Sequence, residues 1–204
     1  MVLWKSGFQY NQTKGNIHMS KTKTWKLWDN EKINEEETKL LRRKTDEIPI
    51  PLDENSKKDI KFLIDSFLAR DDALGLAAPQ IGISKRMVIF KNKNLDERGG
   101  VKSEKDYDVL INPRITQSRG DIDKMTESCL SCPDVSVEVT RYKEIKVKAY
   151  DREGEKINKR YAGFLARVVQ HELDHLDGKL IIDQGGSIFV PKERHEFFEK
   201  LFKE

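Results

Sequence analysis

Gln170-His171-Glu172-Leu173-Asp174-His175-Leu176-Asp177-Gly178 places two imidazoles four positions apart, so on a helix both face the same way and can grip one metal ion. Glu172 stands beside the first histidine, where a metal-dependent hydrolase carries its general base. Gly178 is a natural left-handed residue to close the helix just beyond. Before and within this stretch, Phe164, Leu165, Val168, Val169, Leu173 and Leu176 cover so much of the circumference that the helix must be largely buried.

The layers around such a helix come mostly earlier in the chain. Met87 to Phe90 and Val109 to Ile111 read as buried strands. Val135, Val137, Val139 and then Ile145, Val147, Ala149 alternate as two strand candidates on either side of Arg141 to Glu144. Asp151 to Gly154 is a hairpin turn before a strand around Lys156 to Arg160, and Leu180-Ile181-Ile182 reads as a short strand. Gly75 to Gly82 reads as a loop of small residues, and Lys91 to Tyr107 as a charged excursion.

Ile60, Leu63, Ile64, Phe67 and Leu68 make one face of an amphipathic helix from about Asn55 to Arg70, capped by Asp53 or Ser56. Pro191 opens a terminal helix with Phe197, Phe198, Leu201 and Phe202. The predicted fold is α+β, with antiparallel or mixed sheets packed around the buried central helix, an N-terminal amphipathic helix and a C-terminal helix.

Composition bounds the function. The 204 residues carry Lys+Arg 38 against Asp+Glu 35, a net charge of +3, so the total gives no warrant for nucleic-acid binding. The only cysteines, Cys129 and Cys132, are too close for a disulfide framework and point to a reducing compartment or a metal role. No apolar run approaches a membrane span, and a soluble protein is expected. Residues 1–28 are basic and acid-free and are expected to be a leader, a tag or a disordered extension; 29–204 would be a single catalytic domain. An organellar transit sequence is the alternative reading of that basic segment.

Two histidines supply only two of the three protein ligands that an open catalytic site needs. A third histidine after Gly178, as in metzincins, would stand where this chain has Ile181, so that arrangement fails. Glu193 or Glu196 could serve in a thermolysin-like site, and Cys129 offers a thiolate from an upstream loop. Cys129 and Cys132 also fit half of a structural zinc site, although their distance from His171 far exceeds a zinc-finger spacer and Glu172 would then have no task.

Gly75-Leu76-Ala77-Ala78-Pro79-Gln80, Glu127-Ser128-Cys129-Leu130-Ser131 and Gln170 to Gly178 resemble, in order, the three signature motifs of peptide deformylases. The resemblance runs from roughly Leu40 to Ile182. It departs at Ala73 and Ser128, where the family usually has glycine; a side chain at either could narrow the substrate groove.

The resemblance implies removal of the formyl group from the N-terminal methionine of new polypeptides. Cys129, His171 and His175 would hold one divalent metal, with ferrous iron favoured and zinc, nickel or cobalt able to substitute. Glu172 would be the general base, and the Gln80 amide with the Leu130 backbone N–H would stabilise the oxyanion. By position, Leu74, Met125, Phe164 and Val168 are candidates for the methionine pocket. The Arg167 stem would form a wall with its guanidinium in water, and the peptide would lie along Leu74 and Gly75. Asp174 is expected to pair with Arg141, and Glu127 to orient a histidine. The formyl-Met nascent peptide is the expected partner, and the ribosome a further one through the terminal helix. The implied enzyme is bacterial-type, cytoplasmic and monomeric.

Overall fold

The computed structural model describes residues 22–93, 95, 101 and 103–203. A two-stranded ribbon opens it, β1 (Trp28–Asp29) against β2 (Lys32–Ile33), followed by α1 (Glu35–Leu41) and α2 (Glu54–Leu68). Asp53 caps α2 by accepting the Ser56 N–H at 2.7 Å, and Ile60, Leu63 and Phe67 are its buried face. This helix stops at Leu68, so Arg70 lies beyond it.

Six strands then form one antiparallel sheet: β3 (Gly75–Ala77), β4 (Met87–Lys91), β5 (Tyr107–Cys129), β6 (Cys132–Tyr150), β7 (Lys156–Ala162) and, after α3 (Gly163–Leu176), β8 (Ile188–Phe189). The order is β3-β4-β5-β6-β7, with β8 added on β6. The chain ends in α4 (His195–Lys203).

β5 and β6 are joined by the turn Leu130–Ser131 and pair along nearly their whole length. Register shifts at Ile111/Arg114, Ile115/Gln117, Arg119/Ile122 and Ser128/Cys129 bend this ribbon, as bulges do. One half therefore continues the sheet with β4, while the other carries Glu127 and Cys129 to the flank of α3. The helix packs against β3, β4, β6 and β7, burying Ala166, Val168, Val169, Leu173 and Leu176.

Three sequence expectations change. Val135 to Ala149 is one strand rather than two, because Arg141 occupies an inward position and continues the alternation, Arg141 pairing with Asp123 across the ribbon. Leu180-Ile181-Ile182 is not a strand: Asp183 accepts the Leu180 N–H at 2.7 Å and closes a 3₁₀ turn over Ile181–Asp183. Gly75 to Gly82 is not all loop, since Gly75–Ala77 pairs with β4 and Ala78–Ile81 forms a 3₁₀ turn.

Leu27 and Trp28, the last residues of the expected leader, are buried with Cys129, Cys132, Val137 and Phe198, and the Trp28 indole N–H is satisfied there by Pro133 O at 2.9 Å. The Trp28 ring meets Phe198 edge-on at 5.3 Å, which docks α4. The leader expected over 1–28 falls, for 1–21, outside the described residues, as do residues 94, 96–100 and 102 of the charged excursion.

Candidate metal centre and active site

α3 supplies the core of the site. Gly178 follows it at φ +70, and a Cβ there would lie 2.3 Å from Arg42 O, so the helix end is both left-handed and pressed against the chain after α1. His171 and His175 project from one face with ring centroids 5.2 Å apart. The turn end of β5 brings Cys129 to them, with its Sγ 3.2 Å from His175 Nε2. Ligand atoms of Cys129, His171 and His175 all lie within 4.8 Å of one another, and no other such group of His, Cys, Asp and Glu occurs among the described residues. Cys132, Glu193 and Glu196 stand outside this group.

Glu127 is the hub behind the cluster. Its Oε2 lies 3.0 Å from His171 Nδ1, which leaves Nε2 to face the other ligands. Arg141 donates to both Glu127 oxygens and, at 2.7 Å, to Asp174. Arg167 donates to Glu127 Oε1 at 2.7 Å and to the carbonyls of Val139 and Asp123. The Arg167 guanidinium is thus inside the protein, not in water as expected from sequence; Glu127 and two strand carbonyls satisfy it.

Burial penalises the Glu127 charge, but its bonds to Arg141 and His171 hold the carboxyl far below its ordinary value. Burial likewise opposes the Cys129 thiolate, and Cys132, His175 and His171 overcome it, so the thiol is driven well down while Cys132 is driven up. His171, against its own burial, is driven up by Cys129 and Glu127. Anionic sulfur facing two imidazoles is a donor set that fits a divalent first-row metal.

Glu172 has a different environment. Burial raises its carboxyl to about 7, only partly opposed by the two histidines. Its Oε2 is buried and finds no hydrogen-bond partner among the described residues, and the same holds for His175 Nδ1. Gly75 lies directly on this carboxylate: a Cβ there would be 2.4 Å from Glu172 Oε1. Gln80 is 2 % exposed. Its Oε1 accepts the Ala77 N–H at 2.9 Å, and this turns Nε2 toward Ser131 Oγ at 3.3 Å and Cys129 Sγ at 3.8 Å. Leu130 follows Cys129 in the same turn.

A cleft opens beside His171 and Glu172. Leu74, Phe164 and Val168 form its apolar wall, and Thr126, Ser128 and Arg167 its remaining side. Met125, expected on this wall, is not among the lining residues. Ser128 lines the cleft, at a position where a side chain was expected to narrow the groove; Thr126, just before the second motif, was missed. Ser128 is extended within β5 and pairs with Ser136 Oγ at 2.7 Å, so it adopts no glycine conformation. Ala73 is buried in the core rather than in the cleft.

The sequence profile described as polypeptide deformylase matches residues 30–188. The chain belongs to this family. The peptide deformylase of Thermodesulfovibrio yellowstonii is 37% identical over 148 residues, covering 71% of this chain and 82% of the relative. That of Pelotomaculum thermopropionicum is 38% identical over 165 residues, 79% and 97% of the two chains. The crystal structure of the Thermotoga maritima peptide deformylase superposes with a TM-score of 0.59 at 39% identity, covering 71% and 90%. The Synechococcus elongatus peptide deformylase in complex with actinonin gives 0.65 at 28% identity, covering 98% and 94%. As a deformylase, the chain removes the N-formyl group from nascent polypeptides. The Cys/His cluster of this deformylase is built for a divalent metal.

Proposed function

We propose that Cys129, His171 and His175 are the metal ligands of the deformylase reaction, that Glu172 is its general acid and base, and that Gln80 and Leu130 bind the oxyanion. The observation that carries this reading is Glu172 Oε2, a buried carboxylate oxygen with no hydrogen-bond partner among the described residues, beside three converging ligand atoms. A bound divalent metal would supply Lewis acidity toward the formyl oxygen and the attacking water.

Glu172 takes the proton that the water gives up as its oxygen bonds to the formyl carbon. A carboxyl near 7 is matched to that task at neutral pH. As negative charge gathers on the formyl oxygen, Gln80 Nε2 and the Leu130 N–H donate to it. The carbon–nitrogen bond then breaks, Glu172 returns its proton to the leaving amine, and formate departs with a free N-terminus. The methionine side chain enters between Leu74, Phe164 and Val168 along the Arg167 stem, while the peptide runs beside Leu74 and Gly75 on the free edge of β3.

Resemblance to the family favours ferrous iron, with zinc, nickel or cobalt in its place. A cytoplasmic monomer meeting its substrate at the ribosome completes the reading. α4 offers a mixed Lys/Glu surface for that contact, although its Phe198 side is committed to Trp28. The test is formate release from a formyl-Met peptide: Glu172→Ala is expected to abolish it with the metal retained, and Cys129→Ala to lose the metal. Full activity in Glu172→Ala, or full metal content in Cys129→Ala, would overturn the assignment.

A further inference from the structure

Residues 22–28 lie upstream of the residues matched by the family profile, 30–188, and cross both loops that carry the oxyanion donors. The Trp25 N–H donates to Gln80 O at 2.8 Å and the Leu27 N–H to Ser131 O at 2.9 Å. In an extended chain the N–H groups of residues two apart point to the same side, so one short segment bonds two loops that are far apart in sequence. The residue between points the other way: the Lys26 N–H donates to Glu37 Oε2 at 2.6 Å, on α1.

Both ends of the segment are held. Arg70, with a buried side chain, donates to Thr22 O and Thr24 Oγ1 at 2.6 Å each. Trp28 is fixed to Pro133 O, just past the Cys129–Cys132 turn. The Trp25 ring also lies on Gly82, where a Cβ would meet Cζ2 at 2.8 Å, and Gly82 at φ +83 ends the 3₁₀ turn bearing Gln80. Leu130 packs against the apolar cluster that holds Ala78 and Ile81, and the Gln80 amide reaches Ser131 Oγ and Cys129 Sγ by long contacts, at 3.3 and 3.8 Å. Side-chain contacts of that length do not set a spacing. Main-chain hydrogen bonds at 2.8 and 2.9 Å do.

We infer that residues 22–28 form a positioning strap whose Trp25 and Leu27 N–H groups set the separation of the Gln80 loop from the Cys129-Leu130-Ser131 turn, and thereby the fit of the site to the oxyanion. This rests on the assignment of Gln80 and Leu130 as oxyanion donors. An oxyanion forms only as the reaction proceeds, so the strap acts on kcat and leaves peptide binding and metal content alone.

The test uses the metal-loaded full chain and formate release from a formyl-Met-Ala peptide, with kcat per bound metal, KM, metal content and Tm measured together. Trp25→Pro deletes the N–H. Placing the α-hydroxy analogue of tryptophan at position 25 deletes it while keeping the indole, and this decides the matter if Trp25→Pro does not fold. The expected result is a kcat lower by about 10–100-fold with KM changed by less than about 2-fold, as for a small misplacement of a catalytic group. Added to Gln80→Ala, either strap change should lower kcat by less than about 3-fold further, because both act on one donor.

Unchanged kcat per metal in the ester variant, with Gln80→Ala impaired, overturns the strap and leaves the oxyanion assignment standing. Full additivity with Gln80→Ala, or loss of metal in step with loss of activity, shows a merely structural segment and also overturns it. Unchanged kcat in Gln80→Ala itself overturns the oxyanion assignment instead.

Discussion

Glu127 and Arg141 face each other inside the protein as a bidentate pair, with Nε to Oε1 at 2.7 Å and Nη2 to Oε2 at 2.8 Å. The pair turns two strands of one ribbon into the support for a histidine on the helix. Removing Arg141 takes two charge-assisted bonds from Glu127, which keeps Arg167 and His171, and one from Asp174, a loss on the order of 3–5 kcal/mol. Arg141→Ala is therefore expected to lower Tm by roughly 6–20 °C for a chain of this size, measured by calorimetry on the metal-loaded protein. The same pair sets an acid limit. The folded Glu127 carboxyl lies below its ordinary value of 4.5, so its contribution is present above that pH and is lost as pH falls through the depressed folded value. Glu127→Gln should flatten the acid limb of the stability curve below about 4.5, checked by urea titrations across pH.

Glu172 has the opposite sign. Its folded carboxyl is raised from 4.5 to about 7, so the protonated form is favoured by folding. In the metal-free protein the Glu172 contribution should be fully present below 4.5, fall as pH rises to about 7, and stay level above. Glu172→Gln removes that slope and raises stability at neutral pH, on the order of a few kcal/mol by the size of the shift. Urea denaturation of metal-stripped wild type and variant at pH 4.5 and 7.5 decides it, and parallel curves would count against a desolvated carboxylate.

Gln80→Ala tests the oxyanion assignment in the assembled enzyme. Loss of a single such donor costs about 2.7–4 kcal/mol, or a kcat lower by about 10²–10³-fold with KM little changed. Metal content should be unaffected, as the ligand atoms are those of Cys129, His171 and His175. Steady-state kinetics with metal analysis on the same samples checks both parts.

Gly75→Ala places a methyl group 2.4 Å from Glu172 Oε1, a contact that forces the carboxylate or the strand edge to move. Displacing the base by about 1 Å should reduce kcat by about 10²-fold. A crystal structure of the variant should show the Glu172 side chain rotated away from β3, and an unmoved Glu172 with full activity would refute the close approach.

Some of this was written in the sequence and some was not. The α2 face and the β4 strand were legible because their apolar residues recur at a single local period. Arg141 hid the continuity of β6 for the opposite reason. It is an inward-facing residue with a charge, its burial is tolerable only with Glu127 and Asp174 beside it, and no local pattern announces those partners. Met125 was expected on the cleft by position, whereas the bulged ribbon presents Thr126 beside Ser128 there.

The stretch from Gln170 to Gly178 determined by itself that two imidazoles and a carboxylate share one helix, since helical spacing is a local property. The three motifs in order determined the family. Only the tertiary structure brought Cys129 within 3.2 Å of His175, buried Glu172 deeply enough to raise its carboxyl, and laid Trp25 and Leu27 across two distant loops. Those relations depend on long-range packing and desolvation, which no local spacing encodes.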